Sequence, residues 1–276
     1  MVATPDQLTD QVTRHQAFTE GLKTQEFNEL KVLLADAHKT IIADLSGNDI
    51  RGWTRSQLER RLATVESLIK VKYSAEIIPE LQRKIREFSV YEAEFEKKSL
   101  KNVVDYNFEV PAENQIMSAI NSKPLSVTGP DKGKLLDSFV QDWTQKQTTQ
   151  TVNAIRAGFA IGQTTTDIIK DLKRDVFPQG MKGLDMMVRT SLQHSAAVAR
   201  EETFKANSDL IKRVRFIATL DSRTTIQCQA LDGQVFKLSE GPRPPLHVGC
   251  RSTFEAVLDE RFDFLDKGGT RRLCKL

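Results

Sequence analysis

The sequence predicts a mainly α-helical protein with long amphipathic helices and a small α+β module towards its C-terminus. Through most of the first 206 residues, apolar side chains recur every three or four positions, which is the period of one helix face. From Ile211 onward the period becomes two, which is typical of strands. A change of period this late in the chain indicates one long helical part followed by a short mixed module.

Composition excludes several classes of protein. Of the 276 residues, 39% are hydrophobic and 28% are charged, and the mean hydropathy is −0.39. No apolar run approaches the roughly 20 residues that a membrane span needs, and the first thirty residues lack a secretory signal pattern. Three cysteines are too few for a secreted disulfide scaffold. A soluble helical protein with partly solvated helices is therefore expected.

Three apolar stripes predict helices in the first hundred residues. The second of them follows a capping-box pattern formed by Thr54 and Gln57. The stripes consist of Phe27, Leu30, Leu34, Ala37, Ile41 and Leu45, then Leu58, Leu62, Val65 and Ile69, and then Ile78, Leu81, Ile85, Phe88 and Phe95. We expect a helical hairpin or bundle there, with no chemistry of its own.

Residues 103–110 predict a short strand or an extended connector, and helices resume at Leu135. Thr164 is expected to cap a helix that runs to Val176. After a break at Pro178, a long helix is predicted from Leu184 to about Ala206. The strands then follow, with Asp232-Gly233 as a hairpin-turn signal.

We divide the chain into four segments: an N-terminal helical region (1–112), a central helical region (113–207), an α+β module (208–262) and a basic tail (263–276). The net charge of +3 is unevenly distributed, because residues 1–112 carry −2, residues 113–207 carry +2 and residues 208–276 carry +3. Basic character therefore increases towards the C-terminus.

Turn-forming and ligand-type residues are densest between positions 218 and 253. This motif comprises Asp221, Arg223, Thr224, Cys228, Leu231, Asp232, Gly233, Val235, Phe236, Pro245, His247, Cys250 and Arg251. Asp221 is expected to cap the following turn and to pair with Arg223 or Arg251. We call these residues the C-terminal motif.

The order of these residues resembles the head-morphogenesis or minor head protein family of tailed bacteriophages, typified by the F protein of phage Mu. Upstream, Arg189-Thr190 and an alanine-rich helix with Arg200 resemble the helix that precedes the motif in that family. The resemblance covers about residues 135–258. Many relatives carry two further cysteines, at positions that are Thr225 and Ser252 here.

The resemblance implies a non-enzymatic minor head component that acts at or near the portal vertex and assists assembly, DNA packaging or delivery. It implies the portal protein as a partner, with the major capsid or scaffolding protein and packaged double-stranded DNA as further candidates. It places the protein in the virion, and in the host cytoplasm during assembly. Two alternatives stay open: a non-specific DNA-binding virion protein, and an enzyme of toxin type in the C-terminal module.

Cys228, His247 and Cys250 form the one set with metal-ligand spacing, and zinc is the candidate ion, with Asp221 or Asp232 as a possible source of a fourth, oxygen ligand. The alternative is a packed motif, with two small buried thiols and a histidine that hydrogen bonds a loop carbonyl. A Cys–His nucleophilic pair is a third interpretation, without an evident orienting acid.

Arginines of the C-terminal part are candidates for contact with nucleic-acid phosphates. They are Arg213, Arg215, Arg271 and Arg272. The alternative is a solvated strand face and tail. Two tryptophans and three tyrosines offer few stacking platforms, so sequence-specific recognition is not expected.

Overall fold

The computed structural model describes residues 5–47 and 50–258. The prediction of a mainly α-helical protein with a small C-terminal sheet is confirmed. The helices are α1 (Pro5–Ser46), α2 (Arg55–Lys72), α3 (Ile78–Val103), α4 (Glu113–Ser122), α5 (Leu136–Ala160), α6 (Thr165–Asp171), α7 (Phe177–Ala206) and α8 (Ile226–Leu231). The strands are β1 (Ile211–Ile217), β2 (Val235–Lys237) and β3 (Thr253–Leu258). No helix within these described ranges is long and apolar enough to cross a membrane.

Thr54 and Thr164 cap α2 and α6, as their spacing predicted. Each side chain accepts a hydrogen bond from the backbone three residues later, at Gln57 and Asp167. Both caps follow a glycine with positive φ two residues earlier, Gly52 at 81° and Gly162 at 74°. The same local arrangement therefore precedes both helices. A glycine with positive φ lets the backbone turn, and the threonine hydroxyl then accepts a backbone N–H of the first helical turn.

The predicted start of the long helix at Leu184 is wrong, since α7 begins at Phe177 and contains Pro178. A π-helical turn, Leu172–Val176, joins α6 to α7, and the Phe177 N–H bonds to the carbonyl of Leu172. A second π turn, Tyr73–Ile77, precedes Pro79 in the same way. A wider turn relieves the clash between a proline ring and the preceding turn, so these prolines do not end the helix.

The three strands form one antiparallel sheet in the order β2-β1-β3. Val214 pairs with Phe236 on one side and with Ala256 on the other. Val214 and Phe216 are buried while Arg213 is exposed, which confirms the two-residue period. The prediction of a hairpin turn at Asp232-Gly233 is wrong. This turn follows α8 and leads into β2, so a helix separates β1 from β2 in sequence.

The chain folds into two compact units. Unit 1 comprises the described residues of Met1–Lys23, Ile85–Leu136 and Arg189–Leu276, and unit 2 comprises those of Thr24–Lys84 and Asp137–Val188. Unit 1 contains the sheet and unit 2 is helical. The division at residues 112, 207 and 262 follows sequence character alone and stays a prediction. The tail, residues 263–276, lies outside the described residues.

The core of unit 1 joins helices to the inner face of the sheet. Its largest cluster draws on α1, α3, α7 and all three strands, with Phe204 and Phe254 in an edge-to-face contact at 5.9 Å. A smaller cluster comprises Phe216, Ala218, Cys228, Leu246 and Cys250. The two cysteines therefore lie in the apolar interior of the C-terminal motif.

Candidate functional site

Asp221 organises the turn that follows β1. Its carboxylate accepts a hydrogen bond from the backbone N–H of Arg223 at 2.8 Å and a two-pronged pair of bonds from Arg251 at 2.5 and 2.6 Å. The Arg251 hydrogen bonds hold the pKa of Asp221 well below its usual range. Of the two partners that the sequence left open, Arg251 makes the close contact. Arg223 approaches only to 3.5 Å and its side chain is 76% exposed.

The Asp232-Gly233 turn closes onto the end of β1. The Asp232 carboxylate accepts the backbone N–H of Ala218 at 2.8 Å, and the Gly233 N–H bonds to the carbonyl of Phe216 at 2.9 Å. Gly233 has a φ of 74°, a backbone conformation that favours glycine. Asp221 and Asp232 are thus both engaged in turns, and neither belongs to the cluster of thiols and imidazole.

The structure brings Cys228, His247 and Cys250 together. The Cys228 Sγ lies 3.5 Å from the His247 Nε2 and 3.9 Å from the Cys250 Sγ, and the three ligand atoms all lie within 4.8 Å of one another. Cys228 is in the short helix α8, which begins after the N-cap Thr225. His247 and Cys250 share one tight turn, closed by a bond from the Cys250 N–H to the His247 carbonyl at 3.0 Å.

The two thiols differ in acidity. The hydrogen bond between them lowers the pKa of Cys250 to about 6, against the opposing effect of burial. The same bond, together with burial, raises the pKa of Cys228 above its usual range. The Ser252 hydroxyl contacts both thiols, and Thr225 contacts Cys228. The two positions at which relatives carry cysteine therefore border the cluster here as hydroxyls.

One face of α7 holds the backbone of the C-terminal motif. The Thr190 hydroxyl accepts the Gly249 N–H at 3.0 Å, and the Gln193 amide donates to the Ser252 carbonyl at 2.7 Å. About two helical turns further along α7, Arg200 donates to the carbonyl of Phe254 at 3.2 Å. Sequence reasoning singled out Thr190 and Arg200 by resemblance only and missed Gln193. Its spacing of three from Thr190, on the same helix face, was the available signal.

Arg200 is also the cation of a buried ionic cluster. It bonds Glu96 at 2.5 Å and Glu92 at 3.0 Å, and His15 reaches Glu92 at 2.8 Å. Burial, with the negative charge of Glu92 nearby, raises the pKa of Glu96 to about 7 even though Arg200 opposes it. Burial also raises the pKa of Glu92, but the His15 bond and the Arg200 charge outweigh it and hold that pKa below its usual range. This cluster ties α3 to α7 and to β3.

Residues 149–255 match a family model described as Phage Mu protein F like protein. This region of the chain is Phage Mu F-like. The matched range includes α7 and most of the C-terminal motif, and with them the hydrogen bonds of Thr190, Gln193 and Arg200. The resemblance inferred from the motif is confirmed over this range. Comparisons with curated proteins and with solved structures give no match.

Within the Phage Mu F-like region, the two candidate phosphate-binding arginines of β1 differ. Arg213 is exposed to solvent. Arg215 donates to Glu255 at 2.9 Å, so its charge is largely satisfied inside the protein. Arg271 and Arg272 lie outside the described residues. Contact with nucleic acid stays a prediction, and Arg213 is the better-placed of the two described arginines.

The Phage Mu F-like region also bears on the nucleophile interpretation. The His247 Nδ1 lies 3.1 Å from the carbonyl oxygen of Val248, so a backbone group rather than an acid orients the ring. The pKa of Cys228, the thiol that contacts His247, is raised, which disfavours its thiolate, whereas the pKa of Cys250 is lowered to about 6. Pro245, the remaining residue of the motif, is buried after a cis peptide bond with Pro244.

Proposed function

We propose that the protein is a minor head protein that acts in phage head morphogenesis at or near the portal vertex, where it assists assembly, DNA packaging or delivery. The observation that carries the proposal is the family match over residues 149–255. Within that range, α7 is joined to the residue before β3 and to β3 itself by buried hydrogen bonds, from Gln193 to the Ser252 carbonyl and from Arg200 to the Phe254 carbonyl. A domain built in this way is suited to presenting a fixed surface to a partner.

Several apolar side chains on the outside of the C-terminal motif support a role in binding another protein. Ile226 is 84% exposed and Leu220 is 63% exposed, whereas Val235 and Val248 are 43% and 37% exposed. Large exposed apolar side chains are costly in water and are commonly covered at interfaces. We therefore propose that these exposed side chains contribute to the contact with the portal protein.

Co-expression with the portal protein tests the proposal. The two proteins should co-purify through an affinity tag on the portal, and the association should survive nuclease treatment. If nuclease releases the protein completely, the proposed portal contact is wrong. The variant Ile226→Ser should weaken the association, because it removes an exposed apolar side chain without touching the core. Ile161→Ser is the matched control, since Ile161 is 76% exposed but lies outside the C-terminal motif.

Binding to DNA is a second candidate function, favoured by the position of Arg213. Its cross-strand partner in β2 is Lys237, and both side chains are exposed. Two cations directly opposite each other on a sheet repel. Glu240, 3.2 Å from Lys237, offsets part of that repulsion, and a phosphate beside Arg213 would offset more of it. The variant Arg213→Gln should then lower the salt dependence of duplex binding by about one phosphate contact in an anisotropy titration. An unchanged salt dependence would remove this candidate.

A further inference from the structure

We propose that Cys228, His247 and Cys250 bind one zinc ion, which fastens α8 to the turn before β3. The proposal goes beyond the role in head assembly, and it rests on the convergence of three side chains from two separate segments of the chain. Cys228 and His247 are 19 positions apart in the sequence. Nothing in the local sequence alone would bring the two sulfurs and the nitrogen to one point.

The distances between the donor atoms fit a tetrahedral ion. With bonds of about 2.3 Å to sulfur and about 2.0 Å to nitrogen, tetrahedral geometry requires separations of about 3.8 Å between sulfurs and about 3.5 Å between sulfur and nitrogen. The observed separations are 3.9 Å between Cys228 and Cys250 and 3.5 Å between Cys228 and His247. Two of the three separations therefore match a tetrahedral ion, and the third, between Cys250 and His247, is at most 4.8 Å, so a small movement of one side chain would complete the set.

The imidazole of His247 is held in the form that binds metal. The carbonyl oxygen of Val248 can only accept a hydrogen bond, so the Nδ1 at 3.1 Å must donate. In the neutral ring, the Nε2 then carries the lone pair, and the Nε2 is the nitrogen that faces the Cys228 sulfur. A hydrogen bond from the second ring nitrogen to a backbone carbonyl is the usual way in which proteins orient a zinc-binding histidine.

The chain supplies three ligands, and we assign the fourth to a solvent molecule. Among the residues that the structure describes, no further histidine, cysteine or carboxylate joins the cluster. Asp221 is engaged by Arg251, and Asp232 by the backbone of Ala218. His247 is partly exposed whereas both thiols are buried, so the open coordination position faces the side from which water can enter.

Such an ion would stabilise a part of the domain that has little regular structure. Between β2 and β3 the chain forms turns and bends, and α8 has only six residues. Binding of a metal ion to a folded site contributes directly to the free energy of unfolding. Removal of the ion should loosen α8 and the turn at His247–Cys250, while the helices of unit 2 should stay folded.

Metal analysis of the purified protein tests the proposal. Purified without chelators, the protein should contain about one zinc per chain, and Cys250→Ser should lose it. Cys274→Ser is the matched control, since it removes the one cysteine outside the cluster and should retain the zinc. Equal loss of zinc in both variants would overturn the assignment, because the metal would then be bound by thiols in general.

A second measurement covers the case in which Cys250→Ser does not fold. The wild-type protein, stripped of metal by a chelator, should bind Co²⁺ and give the visible absorption of a tetrahedral site with a thiolate charge-transfer band. Its thermal midpoint should rise again when zinc is restored. Zinc below about a tenth of an equivalent together with no cobalt spectrum would overturn the proposal. So would an intact mass about 2 Da low, which would reveal a Cys228–Cys250 disulfide instead. Nuclease-resistant binding to the portal is measured separately and can persist without zinc.

Discussion

Replacement of Arg200 by Met should destabilise the protein strongly at neutral pH and much less in mild acid. Arg200 is 2% exposed, and Glu92 and Glu96 are each 1% exposed, so the variant removes the arginine from two buried carboxylates and leaves Glu92 with its hydrogen bond to His15. Methionine is close to arginine in length and keeps the apolar contact with Phe254, over whose ring the guanidinium lies at 5.6 Å. The variant therefore removes mainly the charge and the hydrogen bonds.

The size of the effect follows from the free-energy cost of protonating each buried carboxylate. Without Arg200, Glu92 keeps its hydrogen bond to His15, and the cost of binding a proton at pH 7 is at most about 3 kcal/mol for a carboxyl with an ordinary pKa near 4.5. Glu96 already has a pKa of about 7 and adds less. Together with the lost hydrogen bonds, a penalty of about 3–5 kcal/mol is expected, the range found when one partner of a buried pair is removed.

The pH dependence gives the sign. A glutamate whose folded pKa lies above its unfolded pKa stabilises the fold below the unfolded value, and this stability is lost as pH rises through the folded value. In the wild type this holds for Glu96, so stability should fall between about pH 4.5 and pH 7. In the variant, the folded pKa of Glu92 should also lie above its unfolded value, because Arg200 no longer lowers it. The penalty of Arg200→Met should therefore shrink by about 2–3 kcal/mol between pH 7 and pH 5.

Urea unfolding followed by circular dichroism, for the wild type and for Arg200→Met at both pH values, measures this difference. The triple variant Glu92→Gln, Glu96→Gln, Arg200→Met is the control, because it removes the charges as well as their cation. It should be more stable at pH 7 than Arg200→Met alone. A penalty of equal size at pH 5 and pH 7 would refute the reasoning, since it would then come from lost packing and not from the carboxylates.

Two further substitutions test how the helices are joined. Thr190→Val keeps the shape of the side chain but leaves the Gly249 N–H without its acceptor, so it should cost about 1–3 kcal/mol in urea unfolding, whereas Thr190→Ser should cost less. An equal cost for the two would show that the hydroxyl is not the important group. Gly158→Ala would place a methyl group 2.5 Å from Ile168 and should cost about 1–3 kcal/mol in the same assay. Gly21→Ala, in a helix with open space around it, should be neutral or stabilising, and a loss there equal to that at Gly158 would contradict the steric explanation.

The features that depend on neighbours close in sequence could be predicted, both in the fold and in the candidate site. The capping roles of Thr54 and Thr164 and the alternation in β1 depend on neighbours within a few residues, and the structure confirms them. The pairing of Asp221 was narrowed to two arginines that are both nearby in the motif. The start of α7 was predicted wrongly because proline is read as a helix breaker, and a π turn that accommodates it leaves no signature in the apolar period.

The sequence by itself determined the class of fold, the resemblance of residues 149–255 to the Phage Mu F-like family and the identity of the three metal-type side chains. Periodicity, caps and the order of motif residues are local properties of the chain. Only the tertiary structure decided that Thr190, Gln193 and Arg200 hold the backbone of the motif, and that Arg200 neutralises two glutamates more than a hundred residues away. The tertiary structure also decided that the carboxylates of Asp221 and Asp232 accept hydrogen bonds within turns, so that His247 is the side chain that lies beside the thiols. Contacts of this range depend on how whole helices pack, because a buried charge is costly unless it is paired, whatever the distance of its partner along the chain.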